Sequence, residues 1–265
     1  MKGQRDVHLA LSSGSALGLA HVGVIKALLD SGYNIRAISG SSMGAIAATF
    51  FAFGFTPEEM VSIAQDTGNK ITLFLKAAIG SRGGPGITVE SIVNKYIGNA
   101  SIKDANIPLY VYSTDLITGK PYIFQPDDKV DIALKASSAI PGIFPHVKYK
   151  NMLLVDGGVA SPVPTSIFHD KEDALLVAVN IYGGIKDCTW NPPPFTMSPV
   201  LAPIFSSMRS YAILMANVTS YITVHTDIML TPPLCGFSSW DFTQAKQIFE
   251  TAYTYTLDIL SKQNK

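Results

Sequence analysis

A chain of 265 residues in which 20 lysines and arginines balance 20 aspartates and glutamates has no net charge to draw it to nucleic acid. Hydrophobic residues make up 47% and charged residues only 15%, which excludes a solvated, disordered chain and calls for a large buried core or an exposed apolar face. No linker-like stretch divides the sequence, so one domain over residues 1–265 is expected.

The first fifty residues read strand, loop, helix, strand, turn, helix. "HLALSS" is a short apolar strand from His8, and "SSGSALG" is a small-residue loop. "LAHVGVIKALLDSG" places Leu19, Val22, Ile25 and Leu29 at helical spacing, with Gly32 as a stop. "NIRAIS" is a second strand, "GSSMG" a turn, and "AIAATFFAFG" a helix apolar on nearly every side. A strand-helix-strand unit of this length implies an α/β fold with a parallel sheet and helices packed on it.

Residues 57–80 read as mostly helical, "SRGGPGI" as a loop, and "TVESIVNKYIG" as an amphipathic helix with Thr88 as its cap. "PLYVYSTDL" is a strand with a turn at "ITGK". "KVDIALKASSAIPGIFP" is a helix that Pro141 stops, and "MLLVDGGV" and "ALLVAVNI" are buried strands. "YAILMANVTSYI" and "DFTQAKQIFETAYTYTLDIL" are helices. No internal repeat interrupts this order.

Gly40-Ser41-Ser42-Met43-Gly44 has the spacing G-x-S-x-G between a strand-like run and an apolar helix. That is the context of a nucleophile elbow. The serine is forced into a strained backbone, and Gly40 and Gly44 must be small for strand and helix to approach. The helix N-terminus behind the hydroxyl presents free N–H groups and a partial positive charge. An ordinary tight turn is the competing reading, because glycine and serine are common in turns.

The loop Ser13-Gly14-Ser15-Ala16-Leu17-Gly18 sits at the other strand-to-helix junction. In a parallel sheet both junctions open on one edge, so the loop and Ser42 are expected side by side. The amides around Gly14 and Ser15, with that of Met43, are the candidate donors for an oxyanion. Nucleotide binding is disfavoured, since neither G-x-G-x-x-G nor a P-loop lysine is present.

"LSSGSALGLAHVGVIKALLDSG…ISGSSMGAIAA" is similar to the start of the patatin-like phospholipases. "YSTDLITGK", "ASSAIPGIFP" and "LLVDGGVASPVP" follow in the order that family shows, and the resemblance covers at least residues 8–165. It implies a three-layer α/β/α architecture with a mainly parallel central sheet. It also implies an oxyanion loop closing at Gly18 and a Ser42–Asp156 dyad, with Gly157 beside the aspartate. One departure is that Leu17 and Ser15 stand where the family usually has a basic residue and glycine.

The proton acceptor for Ser42 is the open question. By position, Asp156 ends an apolar strand beside two glycines, and an ordinary Asp-Gly turn would look the same. Only the resemblance makes it the base. His146, His169 and His225 are the histidines a Ser-His-Asp triad could use: His146 near the site, His169 on the surface, His225 on a strand. Asp115 is the rival carboxylate, read as a residue that positions its own turn.

The dyad reading gives a lipid acyl-ester hydrolase, of phospholipase A or lysophospholipase type, that works through an acyl-enzyme without metal or other cofactor. Its partners are an acyl-ester substrate and, transiently, a membrane or micelle surface. The alternatives are a triad esterase and a catalytically weak lipid- or acyl-carrier-binding protein, the latter motivated by Leu17. "ITLFLKAAIG" and "PFTMSPVLAPIFSSM" are candidate cleft walls, with residues 187–223 as a lid or membrane contact. Cys188 and Cys235 are expected as buried free thiols in a reducing compartment. "MKGQRDVHLALSSGSA" shows no long apolar segment and no run reaches 18 apolar residues. A cytoplasmic protein without signal peptide or membrane span, peripheral at most, is therefore expected.

Overall fold

The computed structural model describes residues 5–80, 89–184, 188, 202–222, 225–239 and 241–263, with the side chains of 69–80 and several on the last-but-one helix excepted. Its strands are β1 (Arg5–Leu11), β2 (Tyr33–Ser41), β3 (Leu109–Asp115), β4 (Pro121–Ile123), β5 (Val147–Tyr149), β6 (Met152–Asp156), β7 (Leu175–Val179) and β8 (Ile228–Leu230). Its helices are α1 (Ala20–Asp30), α2 (Met43–Ala52), α3 (Pro57–Gly80), α4 (Val89–Tyr96), α5 (Val130–Ser137), α6 (Ala202–Ile222) and α7 (Ala245–Gln263). The eight strands form one sheet in the order β5-β6-β3-β2-β1-β7-β8, with β4 paired to β3. From β3 to β8 every pairing is parallel; β6 runs against both β3 and β5, and β4 against β3.

Alternation along the strands sorts the two faces. Val7, Leu9 and Leu11 of β1 belong to the larger core, where α1, α2 and α5 pack. The opposite face carries small residues, Ala10, Ala37 and Ala178, which let the irregular stretch around Val163 and Phe168 lie close against the sheet. The hydroxyls of Ser39 and Ser41 point to that face too. They donate to the carbonyls of Pro164 and Ser161 at 2.6 Å each, pinning the chain that follows β6.

Several sequence expectations shift in detail. α5 ends at Ser137 rather than at Pro141. Ser138 has already left helical geometry (φ −105°, ψ 8°), and the residue before a proline is itself disfavoured in the helical region. His225 lies in a turn and β8 begins three residues later, so it is not on a strand. Thr88 and residues 189–201 lie outside the described residues. Residues 71–80 continue α3, with side chains outside the description. Of the stretch read as a lid, 202–222 is α6, whose Tyr211, Ala212, Met215 and Ala216 pack against Tyr182 while Ile213, Leu214 and Tyr221 are exposed.

The cysteine expectation is overturned: Cys188 and Cys235 are joined in a disulfide. It ties the chain after β7 to the loop after β8, so the inference from free thiols to a reducing compartment no longer follows. No helix among the described residues is long and apolar enough to cross a membrane.

Candidate active site

Ser42 sits between β2 and α2 with φ 54° and ψ −124°. A non-glycine residue held there stores about 1–3 kcal/mol of strain, which persists only if its surroundings dictate it. They do. A Cβ on Gly40 would lie 2.4 Å from the Gly44 carbonyl oxygen and 2.5 Å from the Ala45 Cα, and one on Gly44 would lie 2.4 Å from the carbonyl oxygens of Leu11 and Ser12. Both glycines of the pentapeptide are therefore required for β1, β2 and α2 to meet. The Ser42 amide donates to Ser137 Oγ at 2.9 Å, so α5 braces the elbow from the far side.

Asp156 reaches Ser42 by a route the sequence did not suggest. β6 is antiparallel, so its C-terminal end points away from the edge where β1 and β2 end. It enters from that edge and stops short: Leu154 pairs with Asp115 and Asp156 with Ser113, while Ser41 of β2 pairs with Tyr112. Asp156 thus halts beside the rung that carries Ser41, with β3 between them. The Thr114 hydroxyl donates to the Asp156 carbonyl at 2.9 Å and accepts from the Ala160 amide at 3.1 Å, fixing the turn. Gly157 must be small, since a Cβ there would lie 2.3 Å from the Tyr112 carbonyl oxygen.

The Asp156 carboxylate is 2% exposed. Its Oδ1 accepts from the Gly158 amide at 2.8 Å and from the Ser13 hydroxyl at 3.5 Å. Burial pushes the carboxyl up to about 6, against hydrogen bonds from the Ser42 hydroxyl, the Gly158 amide and the Ser13 hydroxyl that favour the ionised form. Two tyrosines, Tyr182 and Tyr211, stand near enough for the Asp156 charge, after their own burial, to raise their hydroxyls further. The Tyr211 hydroxyl is buried without a hydrogen-bond partner and would lie 2.6 Å from a Cβ on Gly158. Nothing in the sequence marked it, since it arrives from α6 after 55 further residues.

The small-residue loop after β1 stands against the same elbow. Ser15 adopts φ 47°, and its hydroxyl and the Ala16 amide both reach the Ser239 carbonyl, at 2.7 and 3.1 Å. The Ser13 amide donates to Pro162, which leaves the Gly14 and Ser15 amides as the loop's available donors among the described residues. The first amides of α2, Met43 included, have no acceptor within their own helix. Gly18 abuts Met43, whose Cγ would lie 2.4 Å from an added Cβ. Leu17 packs into the main core rather than lining the cleft.

The histidines fall elsewhere. His146, His169 and His225 are exposed; His169 contacts Thr165 Oγ1 at 3.2 Å and His225 through its ring. None of them is among the groups acting on Asp156 or lining the cleft. The histidine that matters locally is one the sequence reading passed over. His21 of α1 is fully buried, and burial lowers it to about 4, so it is neutral. The Ser12 carbonyl can only accept, so the proton sits on His21 Nε2, 2.7 Å away, bracing the start of the small-residue loop.

Asp115 positions its own turn. Burial pushes its carboxyl up, but the Thr118 hydroxyl at 2.8 Å and the Ile117 and Leu153 amides at 3.2 and 3.3 Å outweigh it and hold it below the usual range.

A cavity of about 370 Å³ opens at Ser42. Ser15, Gly18 and Met43 share its wall with the serine. It follows one face of α2 through Ile46, Ala47 and Phe50, about 12 Å at the helical rise. Met60, Ile63, Ala64 and Thr67 of α3, Val93 of α4 and Ile140 and Phe144 after α5 close it. These α3 residues precede "ITLFLKAAIG", the stretch expected as a cleft wall, whose side chains lie outside the described residues.

A strained serine at a strand-helix junction, a buried carboxylate beside it and an apolar cleft in front meet at one edge of the α/β sheet. The chain belongs to the patatin-like phospholipase family, whose model matches residues 9–169. An uncharacterised NTE-family protein of Mycobacterium tuberculosis is 37% identical over 180 residues, covering 67% of this chain and 49% of that one. Lysophospholipase nte1 of Aspergillus fumigatus is 22% identical over 286 residues, 97% of this chain and 18% of its own. The chain therefore spans half or less of the length of these curated relatives. Among solved structures, VipD from Legionella pneumophila aligns over 98% of this chain and 67% of its own, with a TM-score of 0.57 and 14% identity. That likeness is one of fold.

Proposed function

We propose that the chain is a lipid acyl-ester hydrolase, of phospholipase A or lysophospholipase type, acting as a single domain through a Ser42–Asp156 dyad. The observation that carries this reading is the strained Ser42 elbow opening directly onto the apolar cavity. Family membership supports the lipid class. Asp156 takes the Ser42 proton as the hydroxyl attacks the ester carbonyl, and the Gly14, Ser15 and Met43 amides hold the oxyanion. The leaving alcohol departs with that proton, leaving acyl-Ser42. Asp156 then accepts a proton from water, whose hydroxide attacks the acyl carbon and frees the acid and the serine. These steps draw on side chains and backbone alone.

A carboxyl raised to about 6 is a better base than an ordinary carboxylate and is still ionised at neutral pH. The base must be ionised to work, so kcat/KM should fall about tenfold per pH unit below 6 and level off above it. A limb centred near 4 would contradict a desolvated base. The substrate leaves a bilayer or micelle, and the exposed Leu116, Ile117, Leu214 and Tyr221 offer apolar contact for transient docking.

The test is hydrolysis of p-nitrophenyl esters of rising chain length by wild type, Ser42→Ala and a His146/His169/His225 triple alanine. Activity and fluorophosphonate labelling should vanish in the first variant and persist in the second, with kcat/KM rising with chain length until the cavity is filled. Activity retained in Ser42→Ala would overturn the assignment.

A further inference from the structure

The cavity wall is apolar with two charged exceptions among the described residues, Glu90 and Lys135. They face each other across α4 and α5, Lys135 Nζ to Glu90 Oε1 at 2.6 Å. Both side chains are partly exposed, 31% and 48%, whereas Phe50, Met60 and Val93 on the same wall are buried. The pair therefore marks the rim and the apolar residues the depth. It is also near the nucleophile. Ser137, whose hydroxyl holds the Ser42 amide, is two residues beyond Lys135, about 3 Å along the α5 axis. The next residue, Ser138, lines the cavity with a buried, unpartnered hydroxyl.

We propose that Glu90 and Lys135 form the head-group site of this cleft, selecting a zwitterionic lipid whose phosphate lies against Lys135 and whose ammonium lies against Glu90. The assignment rests on the acyl-hydrolase reading of Ser42 and adds its substrate class. Two features let the pair open for a head group. An ion pair this exposed holds its partners weakly. Each charge is also placed where a helix end favours it: Glu90 is in the first turn of α4 and Lys135 in the last turn of α5. Insertion of a phosphate and an ammonium replaces one opposite-charge contact by two, and the site stays neutral throughout. A head group bearing phosphate alone leaves Glu90 facing an anion, and one bearing no charge leaves the pair desolvated by the lipid without compensation. The oxyanion loop, Ser13 to Gly18, has no charged side chain, so the rim pair is the described cleft's source of head-group electrostatics.

The experiment measures kcat/KM on lysophosphatidylcholine, lysophosphatidylglycerol and monoacylglycerol of one acyl chain, each at equal mole fraction in neutral detergent micelles. Wild type, Lys135→Gln and Glu90→Gln are compared, with p-nitrophenyl ester hydrolysis run alongside. Wild type should prefer the choline lipid over both others by about tenfold, the effect of one charge-assisted contact. Lys135→Gln should remove the preference for the choline lipid over monoacylglycerol. Glu90→Gln should remove the preference over the glycerol phospholipid. Ratios within twofold of wild type in both variants, or equal losses on all three lipids, would reduce the pair to a tie between α4 and α5 and overturn the proposal. A loss confined to Lys135→Gln would refute the ammonium half. A wild type that cleaves p-nitrophenyl esters but shows no lipid preference refutes the head-group site while leaving the hydrolase reading standing. A wild type inactive on every ester removes both.

Discussion

Asp156→Asn should abolish most activity and, at the same time, make the protein more stable. The substitution removes the proposed base, a role that contributes about 10²- to 10⁴-fold, and kcat/KM should fall by that factor at every pH above 6. The stability gain follows from where the carboxylate sits. It is 2% exposed, and burial raises it from 3.8 to about 6. Between those values the folded chain binds more protons than the unfolded one, so wild type loses stability as pH rises through the interval. The full penalty, about 3 kcal/mol, is present above pH 6 and absent below about pH 4. Asparagine carries no charge to desolvate, and its carbonyl oxygen can keep the bond from the Gly158 amide, 2.8 Å in wild type. Thermal unfolding at pH 7.5 and pH 4 distinguishes the cases. The variant should melt higher at pH 7.5, by about 2–4 °C per kcal/mol, and level with wild type at pH 4. A variant less stable at both values would mean that the carboxylate is a structural anchor rather than a strained functional group.

Gly44→Ala should be one of the costliest single methyl additions in the site. Its Cβ would lie 2.4 Å from two carbonyl oxygens of β1's end, Leu11 and Ser12, and 2.7 Å from the Leu11 carbonyl carbon. All are backbone atoms, so no side chain can rotate away. α2 must lift from β1, which disturbs the elbow and the small-residue loop after β1 together. Overpacking typically costs about 1–3 kcal/mol where neighbours can yield; with rigid neighbours the loss should be about 3 kcal/mol or more. Gly98→Ala is the comparison: unlike Gly44, that glycine holds a positive φ of 71°, but nothing lies within 4 Å of its added Cβ. It should lose only about 1 kcal/mol of backbone strain. Urea midpoints for the two variants test this, and equal losses would show that the close approach at Gly44 relaxes freely.

Much of the architecture was legible because it is written in local patterns. Short apolar runs bounded by turn residues gave β1, β2, β3, β6 and β7, and the 3.6-residue spacing of Leu19, Val22, Ile25 and Leu29 gave α1. The pentapeptide around Ser42 was legible because its G-x-S-x-G spacing lies between an apolar strand run and an apolar helix, all within neighbouring positions. The rest depends on partners distant in sequence, which no local pattern records. Asp156 looks like any Asp-Gly turn until β6 is placed antiparallel and stops beside Ser113. The disulfide between Cys188 and Cys235 spans 47 residues. The rim pair joins residues 45 apart, and each charge alone reads as a solvated helix end. The sequence determined which residues could do chemistry, because strain, periodicity and residue type are properties of a few neighbouring positions. Tertiary structure decided which of them meet and which are desolvated, because burial and distance are properties of the whole packed chain.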